Sequence, residues 1–429
     1  MYFLSSTYRG ASVALLLAVG TSSWAVEPLT LMEAQRIAVE RSQQLVAQDA
    51  LARAAGEQSV AAGQLPDPVL KLGIDNLPVT GTDRLSLTGD FMTMRRIGVM
   101  QEIPRAEKRQ LKAERFEKDA QRARAQRELM MTTVRRDTAL AWLDRYYAQS
   151  TRALVQQQLE ESSLQVHAAD VAFATGKGTQ ADVFAARAAL IGLQDRLNQV
   201  DRQSRSAGLM LARWVGAAAA ERLPVGTPPW QSAPLLDAVS SERLKQYPDL
   251  RVMRAEIEAL ETDAQLAQAN KKSDWSVEAS YAQRGPAYSN MLSIGVSIPL
   301  QWDARNRQDR ELAAKLALVD EAKARYEDAL RSREAEIRNL LDDWQTGMTR
   351  LARYRDELIP VAGQRTEAAL TSYRVGKSDL ATALAARRDG IDVRMQALSL
   401  ELETARAWAQ LHFLVPDERS TSATSRNTP

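Results

Sequence analysis

The sequence predicts a mainly α-helical chain with a small β part, assembled from two copies of one unit in which a strand pair leads into a very long helical hairpin. Three observations predict this. There are two long stretches free of glycine and proline, two sets of matching segments at a fixed offset, and runs of alternating apolar residues ahead of each long stretch.

Residues 1–25 read as a secretory signal. Arg9 precedes the apolar run Ala11 to Val19, and Ser23-Trp24-Ala25 places small residues three and one before a cleavage point. The run is short of the roughly 20 residues a lasting membrane helix needs. No cysteine follows it, so N-terminal lipidation is not expected.

The first unit is expected over 26–215. Its strand pair, within 68–103, holds Leu70, Leu72 and Ile74 in one strand and Ile97 and Val99 in the next, joined by a link from Asn76 to Asp90. From Arg105 to Thr175 run 71 residues without glycine or proline, long enough for a helix of about 100 Å. Gly176 then marks a tip, where a turn uses positive φ, and a second helix returns to about Trp214.

A connector follows over 216–241, rich in proline and glycine, with Trp230, Leu235 and Leu236 as surface to bury. The second unit, 242–415, repeats the plan. Its strand pair, within 274–299, alternates Trp275, Val277, Ala279 and Tyr281, then Leu292, Ile294, Val296 and Ile298. A helix is expected from Leu300, a tip near Gly376, and a return to about Trp408; the polar tail 416–429 is expected to be disordered.

Phe173-Ala174-Thr175-Gly176-Lys177 matches Tyr373-Arg374-Val375-Gly376-Lys377, and Ala185-Ala186-Arg187 matches Ala385-Ala386-Arg387, both at an offset of 200. Duplication explains a constant offset. On helical pattern alone, an ordinary antiparallel coiled coil fits these segments better than a channel. The strand alternation suits a transmembrane barrel wall or a soluble sheet with one buried face. A four-stranded sheet with open edges cannot cross a bilayer alone, so a membrane role requires several chains to close it.

Composition narrows the chemistry. Without cysteine, and with only His167 and His412, thiolate, disulfide and histidine-rich metal chemistry are excluded or improbable. A net charge of +2 from 56 basic and 54 acidic residues provides no overall field for nucleic acid, and no local motif replaces it. Gly376-Lys377-Ser378 fails as a phosphate loop because Thr371 stands where the first glycine belongs. Met92, Met94 and Met100 suit soft metals, but ordinary lipid-facing or packing roles are the favoured reading, as a structural role is for His167, lone on a long helix. No catalytic constellation and no cofactor site is expected.

The order of several segments resembles the TolC-like outer-membrane efflux family over essentially the whole mature chain. Leu29 to Ala34 with Ile37-Ala38 looks like the family's first helix, and Pro66-Asp67-Pro68 like the approach to its first strand. Gly98 to Pro104, with Gln101, and Gly295 to Leu300, with Pro299, look like strand-to-helix junctions, and the paired aromatic-x-x-Gly segments look like periplasmic tips.

The resemblance implies a homotrimeric exit duct in the bacterial outer membrane, extending into the periplasm. Four strands per chain would contribute to a shared twelve-stranded β-barrel in lipid, and the hairpins to a trimeric α-barrel. A periplasmic adaptor and an inner-membrane resistance–nodulation–division pump are the implied partners. The tip residues Phe173, Gly176, Lys177, Asp182, Tyr373, Gly376, Lys377 and Asp379 would meet the adaptor and narrow the pore.

Segments 92–101 and 209–216 resemble members serving heavy-metal pumps, which implies metal cations as cargo, with organic compounds as the alternative. Three copies of Asp182 would favour cations, with Lys177 and Lys377 near enough to pair; Asp182 equally suits a helix cap. In the second unit Thr382 occupies the matching position and Asp379 lies three residues earlier. A periplasmic adaptor and a structural coiled coil are the remaining alternatives.

Overall fold

The computed structural model describes residues 27–226, 230–232 and 241–414. The signal segment, the polar tail, Leu235 and Leu236 lie outside the described residues.

Two short helices open the chain, α1 (Leu31–Arg41) and α2 (Gln43–Ala62), capped by the side chains of Thr30 and Ser42. Strands β1 (Val69–Asp75) and β2 (Met94–Ile103) lead into α3 (Ala106–Ala174), 69 residues long and so about 100 Å. No glycine or proline interrupts α3. Its first turn is held from the other unit: Asp274 accepts from the N–H of Arg105 at 3.0 Å and from Lys108 Nζ at 2.8 Å, placing a carboxylate at the positive end of the helix.

Helix α4 (Gln180–Val215) returns beside α3 and ends at Gly216, followed by the single turn α5 (Ala217–Ala220). The connector then crosses back to the start of the chain. Leu29 and Pro224 form a bridge, Arg222 grips Glu33 with two 2.8 Å hydrogen bonds, and Trp230 is buried.

The second unit comprises α6 (Ser241–Leu244), α7 (Pro248–Ala269), β3 (Trp275–Gln283), β4 (Met291–Ser297), α8 (Gln308–Arg353), α9 (Ile359–Arg374) and α10 (Leu380–His412). Here the long helix differs from expectation. It starts at Gln308, not Leu300, because Asp303 captures the chain: its carbonyl accepts from Asn306 and Arg307, and its carboxylate accepts from Asn306 Nδ2 at 2.8 Å. Residues 354–358 form a wider π turn between α8 and α9. Pro360 explains it, since proline lacks an N–H and its ring clashes with the carbonyl four residues earlier.

Both units anchor their long helix alike. Trp142 Nε1 on α3 donates to the carbonyl of Leu29 at 2.9 Å, and Trp344 Nε1 on α8 donates to the carbonyl of Trp230 at 2.8 Å. Around these indoles lies the main core, with Leu143, Leu211, Tyr247, Leu250, Ile337 and Trp408. Toward the sheet, α7 lies between α3 and α8. Its carboxylates Glu258 and Asp263 meet Lys118 (2.9 Å) and Arg115 (2.8 Å), while Glu261 and Asp249 meet Lys323 (2.7 Å) and Arg333 (2.5 Å). These pairs range from the exposed Lys323–Glu261 to the partly buried Arg115–Asp263, and they fix the alignment of α7 between its two neighbours.

The four strands form one antiparallel sheet in the order β1-β2-β3-β4, and the central β2–β3 pairing joins the two units. Strands β1 and β4 each leave one edge unpaired among the described residues.

Candidate functional site

Each hairpin turns by the same backbone device. At the first tip, Gly176 (φ 72°) donates to the carbonyl of Phe173 and Lys177 to that of Ala172; at the second, Gly376 (φ 71°) donates to Tyr373 and Lys377 to Ser372. This pair of bonds closes a helix only with a left-handed residue after its last turn, which glycine adopts without strain.

The following helices start differently. Thr179 caps α4: its hydroxyl accepts from the N–H of Asp182, while the Asp182 carboxylate accepts from the N–H of Thr179 at 2.9 Å and from its hydroxyl at 2.7 Å. In the second unit the types are exchanged. Asp379 is the cap and accepts from the N–H of Thr382 at 2.9 Å. The hydrogen bonds from Thr179 hold the Asp182 carboxyl below the usual carboxylate range, and those from Thr382 do the same for Asp379.

The two tips lie side by side. Ala169, Val183, Ala186 and Leu380 form a small core between them, against which Tyr373 packs, whereas Phe173 is half exposed. Burial, and then the charge of Asp182, raise the Tyr373 hydroxyl above its ordinary pKa. A cleft of about 650 Å³ runs between the tips, lined by Lys177, Thr179, Asp182, Tyr373, Ser378 and Asp379 among others. The expected pairing of Lys177 and Lys377 with Asp182 does not form among the described residues, because Thr179, adjacent in the turn, takes the carboxylate.

Above the cleft the hairpins are cross-linked by charge. Arg187 pairs with Asp170 inside the first hairpin at 3.1 Å, and Arg365 with Asp389 inside the second at 3.1 Å. Two further pairs run between hairpins, Arg196 to Asp392 at 2.6 Å and Arg387 to Glu161. Sequence reasoning marked Arg187 and Arg387 only as repeat equivalents. Their partners differ because Leu370 stands where Asp170 would recur, leaving Arg387 to cross to α3.

The sheet presents two unlike faces. Aligned rows on one face are Leu70, Val99, Ala279 and Ile294, then Leu72, Ile97, Tyr281 and Leu292. Nothing among the described residues covers them: Leu72 is 70% and Ile294 74% exposed. The opposite face carries Lys71 bonded to Glu278 at 2.6 Å and Arg96 to Asp75 at 3.1 Å. Trp275 opens β3 on the bare face at its helix-side end; Trp302, 89% exposed, follows β4, and the exposed Phe91 and Tyr288 lie in the links at the opposite end of the sheet.

Of the expected junction residues, Pro104 and Pro299 lie beyond the strand ends, and Gln101 near the end of β2 donates to the carbonyl of Pro66 at 2.7 Å. Gly98 and Gly295 stand inside β2 and β4, facing Ser280 and Glu278. At Gly98 a Cβ would approach the Ser280 Cβ to 2.8 Å, so its role is close strand approach. Met92 lies outside the strand that carries Met94 and Met100, and no cluster of three or more histidine and carboxylate residues able to hold a metal ion occurs among the described residues.

The sequence profile of the outer membrane efflux protein family matches residues 239–415. The whole chain, of which the matched residues form the second unit, shares the fold of solved outer-membrane channels. Its fold is similar to that of CusC, with a TM-score of 0.76 at 14% identity, covering 96% of this chain and 100% of that one. The CmeC outer membrane channel of Campylobacter jejuni gives 0.73 at 14% identity over 99% and 97% of the two chains. The open state of the Neisseria gonorrhoeae MtrE channel gives 0.71 at 17% over 90% and 88%. No curated protein sequence matches.

Proposed function

We propose that three copies of this efflux protein close into one duct, the strands forming a barrel through the outer membrane and the hairpins a tunnel across the periplasm. The observation that carries the reading is the sheet. Among the described residues one face is apolar and bare, the other is ion-paired, and both edges are open. Lipid suits the first face and water the second, and only further copies satisfy edges that lipid cannot. The neighbour order α2, α3, α7, α8 follows that of the strands, so β4 and α8 of one copy meet β1 and α2 of the next.

In this reading a periplasmic adaptor docks at the tips, where Phe173, Lys177 and Lys377 are exposed, and an inner-membrane pump supplies the energy. Asp182 and Asp379, charged at neutral pH, favour cations in the narrow end. Opening separates the two hairpins and breaks Arg387–Glu161 and Arg196–Asp392.

The cargo we assign is heavy-metal cations delivered by a resistance–nodulation–division pump, on the resemblance of segments 92–101 and 209–216. The test is deletion of the gene in its host with measurement of intracellular zinc, cobalt, cadmium, copper and silver alongside retained dyes. Accumulation of metals, reversed by complementation, supports the assignment. Accumulation of organic compounds alone removes the metal reading and leaves the duct.

A further inference from the structure

The bare face of the sheet ends sharply at the end away from the hairpins. Its last row is Ile74, Arg95 and Gln283, so apolar side chains give way to a guanidinium where β3 turns. Counted along β3 from Trp275 to Gln283, the face below spans about 26 Å of strand, or roughly 20 Å of depth at the usual tilt, most of the lipid-facing band of an outer-membrane barrel.

A second guanidinium joins the first there. Arg95 Nη2 donates to the backbone carbonyl of Arg284 at 3.4 Å, and Arg284 Nη2 donates to the carbonyl of Phe91 in the β1–β2 link. The Arg284 Cζ lies 5.0 Å from the centre of the Tyr288 ring, which holds the side chain over an aromatic face.

Neither cation forms an ion pair among the described residues. Asp75 is taken by Arg96 on the opposite face at 3.1 Å, and Asp90 accepts the N–H of Met92 at 2.6 Å. The Nε atoms of Arg95 and Arg284 are enclosed and unpartnered. Two guanidiniums tied to carbonyls, with no carboxylate, call for a counter-charge. Their position names its source. They stand directly above an apolar band, at the level of lipid headgroups, and a guanidinium fork matches a phosphate group.

We propose that Arg95 and Arg284 seat a phosphorylated lipid headgroup of the outer leaflet, fixing the depth and rotation of the barrel in the membrane. This rests on the reading of the sheet as a barrel wall with its link and turn outside the cell.

The test uses the full chain purified in detergent, with native mass spectrometry reading retention of diphosphoryl lipid A, the fully dephosphorylated glycolipid as control and millimolar inorganic phosphate as competitor. The unaltered protein should retain the diphosphorylated lipid, and the R95Q/R284Q variant should bind it about tenfold more weakly, one bidentate contact's worth. R95K should fall between, since lysine keeps the charge and loses the fork. Equal retention of both lipids, equal binding by the double variant, or displacement of the lipid by inorganic phosphate overturns the proposal. Urea extraction of membranes containing each protein tests the barrel independently: an unaltered protein that washes off refutes the barrel reading, whereas embedded proteins that bind lipid equally refute only the headgroup seat.

Discussion

Thr179 and Asp182 exchange hydrogen bonds across the first turn of α4, the carboxylate taking both the N–H and the hydroxyl of Thr179. At the second tip Asp379 and Thr382 occupy the same two positions with their chemistry reversed. The duplicated geometry is thus kept while the acidic group moves by one helical turn, and one copy of the chain presents two carboxylates at two depths beside a shared cleft.

Thr179→Ala removes the cap and should cost about 1 kcal/mol of local stability, read as faster amide exchange in the first turn of α4. Thr179→Ser should restore protection. Both carboxyls are held below the ordinary Asp range, near 3.9, so their contribution is complete above that value and disappears as pH falls through the lowered folded-state value. Amide exchange at both tips should be constant from neutrality down to about pH 5 and accelerate, relative to the intrinsic rate, only in stronger acid.

The Arg387–Glu161 pair ties α10 to α3 with its arginine more buried than its carboxylate, the side chains being 17% and 40% exposed. Burial, and Arg394 beside it, push the Arg387 guanidinium down from its ordinary pKa, so removing Glu161 leaves a poorly solvated cation. Glu161→Gln is expected to cost more stability than Arg387→Gln, by about 1 kcal/mol. Both should raise single-channel conductance in planar bilayers by loosening the tip. An unchanged conductance for both would show that this contact does not hold the hairpins together.

Two glycines inside helices of the second hairpin should respond oppositely to alanine. At Gly347 in α8 a Cβ would lie 2.3 Å from Thr404 Oγ1 on α10, whereas at Gly363 in α9 nothing lies within 4 Å. Gly363→Ala should stabilise by about 0.5–1 kcal/mol, the helix propensity gain. Gly347→Ala should destabilise by about 1–3 kcal/mol as α8 and α10 are forced apart. Thermal melts of the detergent-purified protein compare them, and equal melting temperatures would contradict the packing of α8 on α10.

What could be read from the sequence is what local chemistry decides. A 71-residue absence of glycine and proline leaves α3 no place to stop, and two tips carrying the same glycine betray one turn used twice. The buried Trp230 was visible as an indole in a polar, proline-rich stretch. Three features were out of reach for a common reason. Arg387 finds its partner 226 positions away on another hairpin, Asp274 caps a helix of the other unit, and Asp303 delays α8 through bonds that compete with a helix of good propensity. Each depends on which segments meet in space, and spacing along the chain does not encode that. The lysine pairing expected at Asp182 failed for a nearer reason: the capping pattern Thr-x-x-Asp was legible at 179–182 and outranks a flexible side chain.

Glu401 on α10 is a carboxyl set against the main core. Burial pushes its pKa up, only partly countered by a hydrogen bond from Tyr147, whose own hydroxyl is raised by burial and by Glu401. The sign follows from linkage. With the folded-state value above the ordinary 4.3, the native protein holds a proton that the unfolded chain releases, so stability should increase as pH falls through the raised value toward 4.3. Glu401→Gln keeps an acceptor for Tyr147 without the charge, and should raise the melting temperature at neutral pH and flatten this dependence. A lower melting temperature would mean that the charge itself is stabilised by the core.

The sheet offers the sharpest contrast between its faces, because Ile294 and Ser293 are neighbours on β4 that point opposite ways. Ile294→Arg places a charge in the row of Leu70, Val99 and Ala279, which lipid covers in the proposed barrel, at a cost of roughly 2–4 kcal/mol near the middle of a bilayer. Ser293→Arg adds the same charge to the face that already holds Lys71, Glu278 and Arg96, where water accommodates it. The yield of urea-resistant protein in outer-membrane fractions should fall severalfold for Ile294→Arg and stay near normal for Ser293→Arg. Equal yields would mean that the exposed rows face something other than lipid, and a loss confined to Ser293→Arg would reverse the assignment of the two faces.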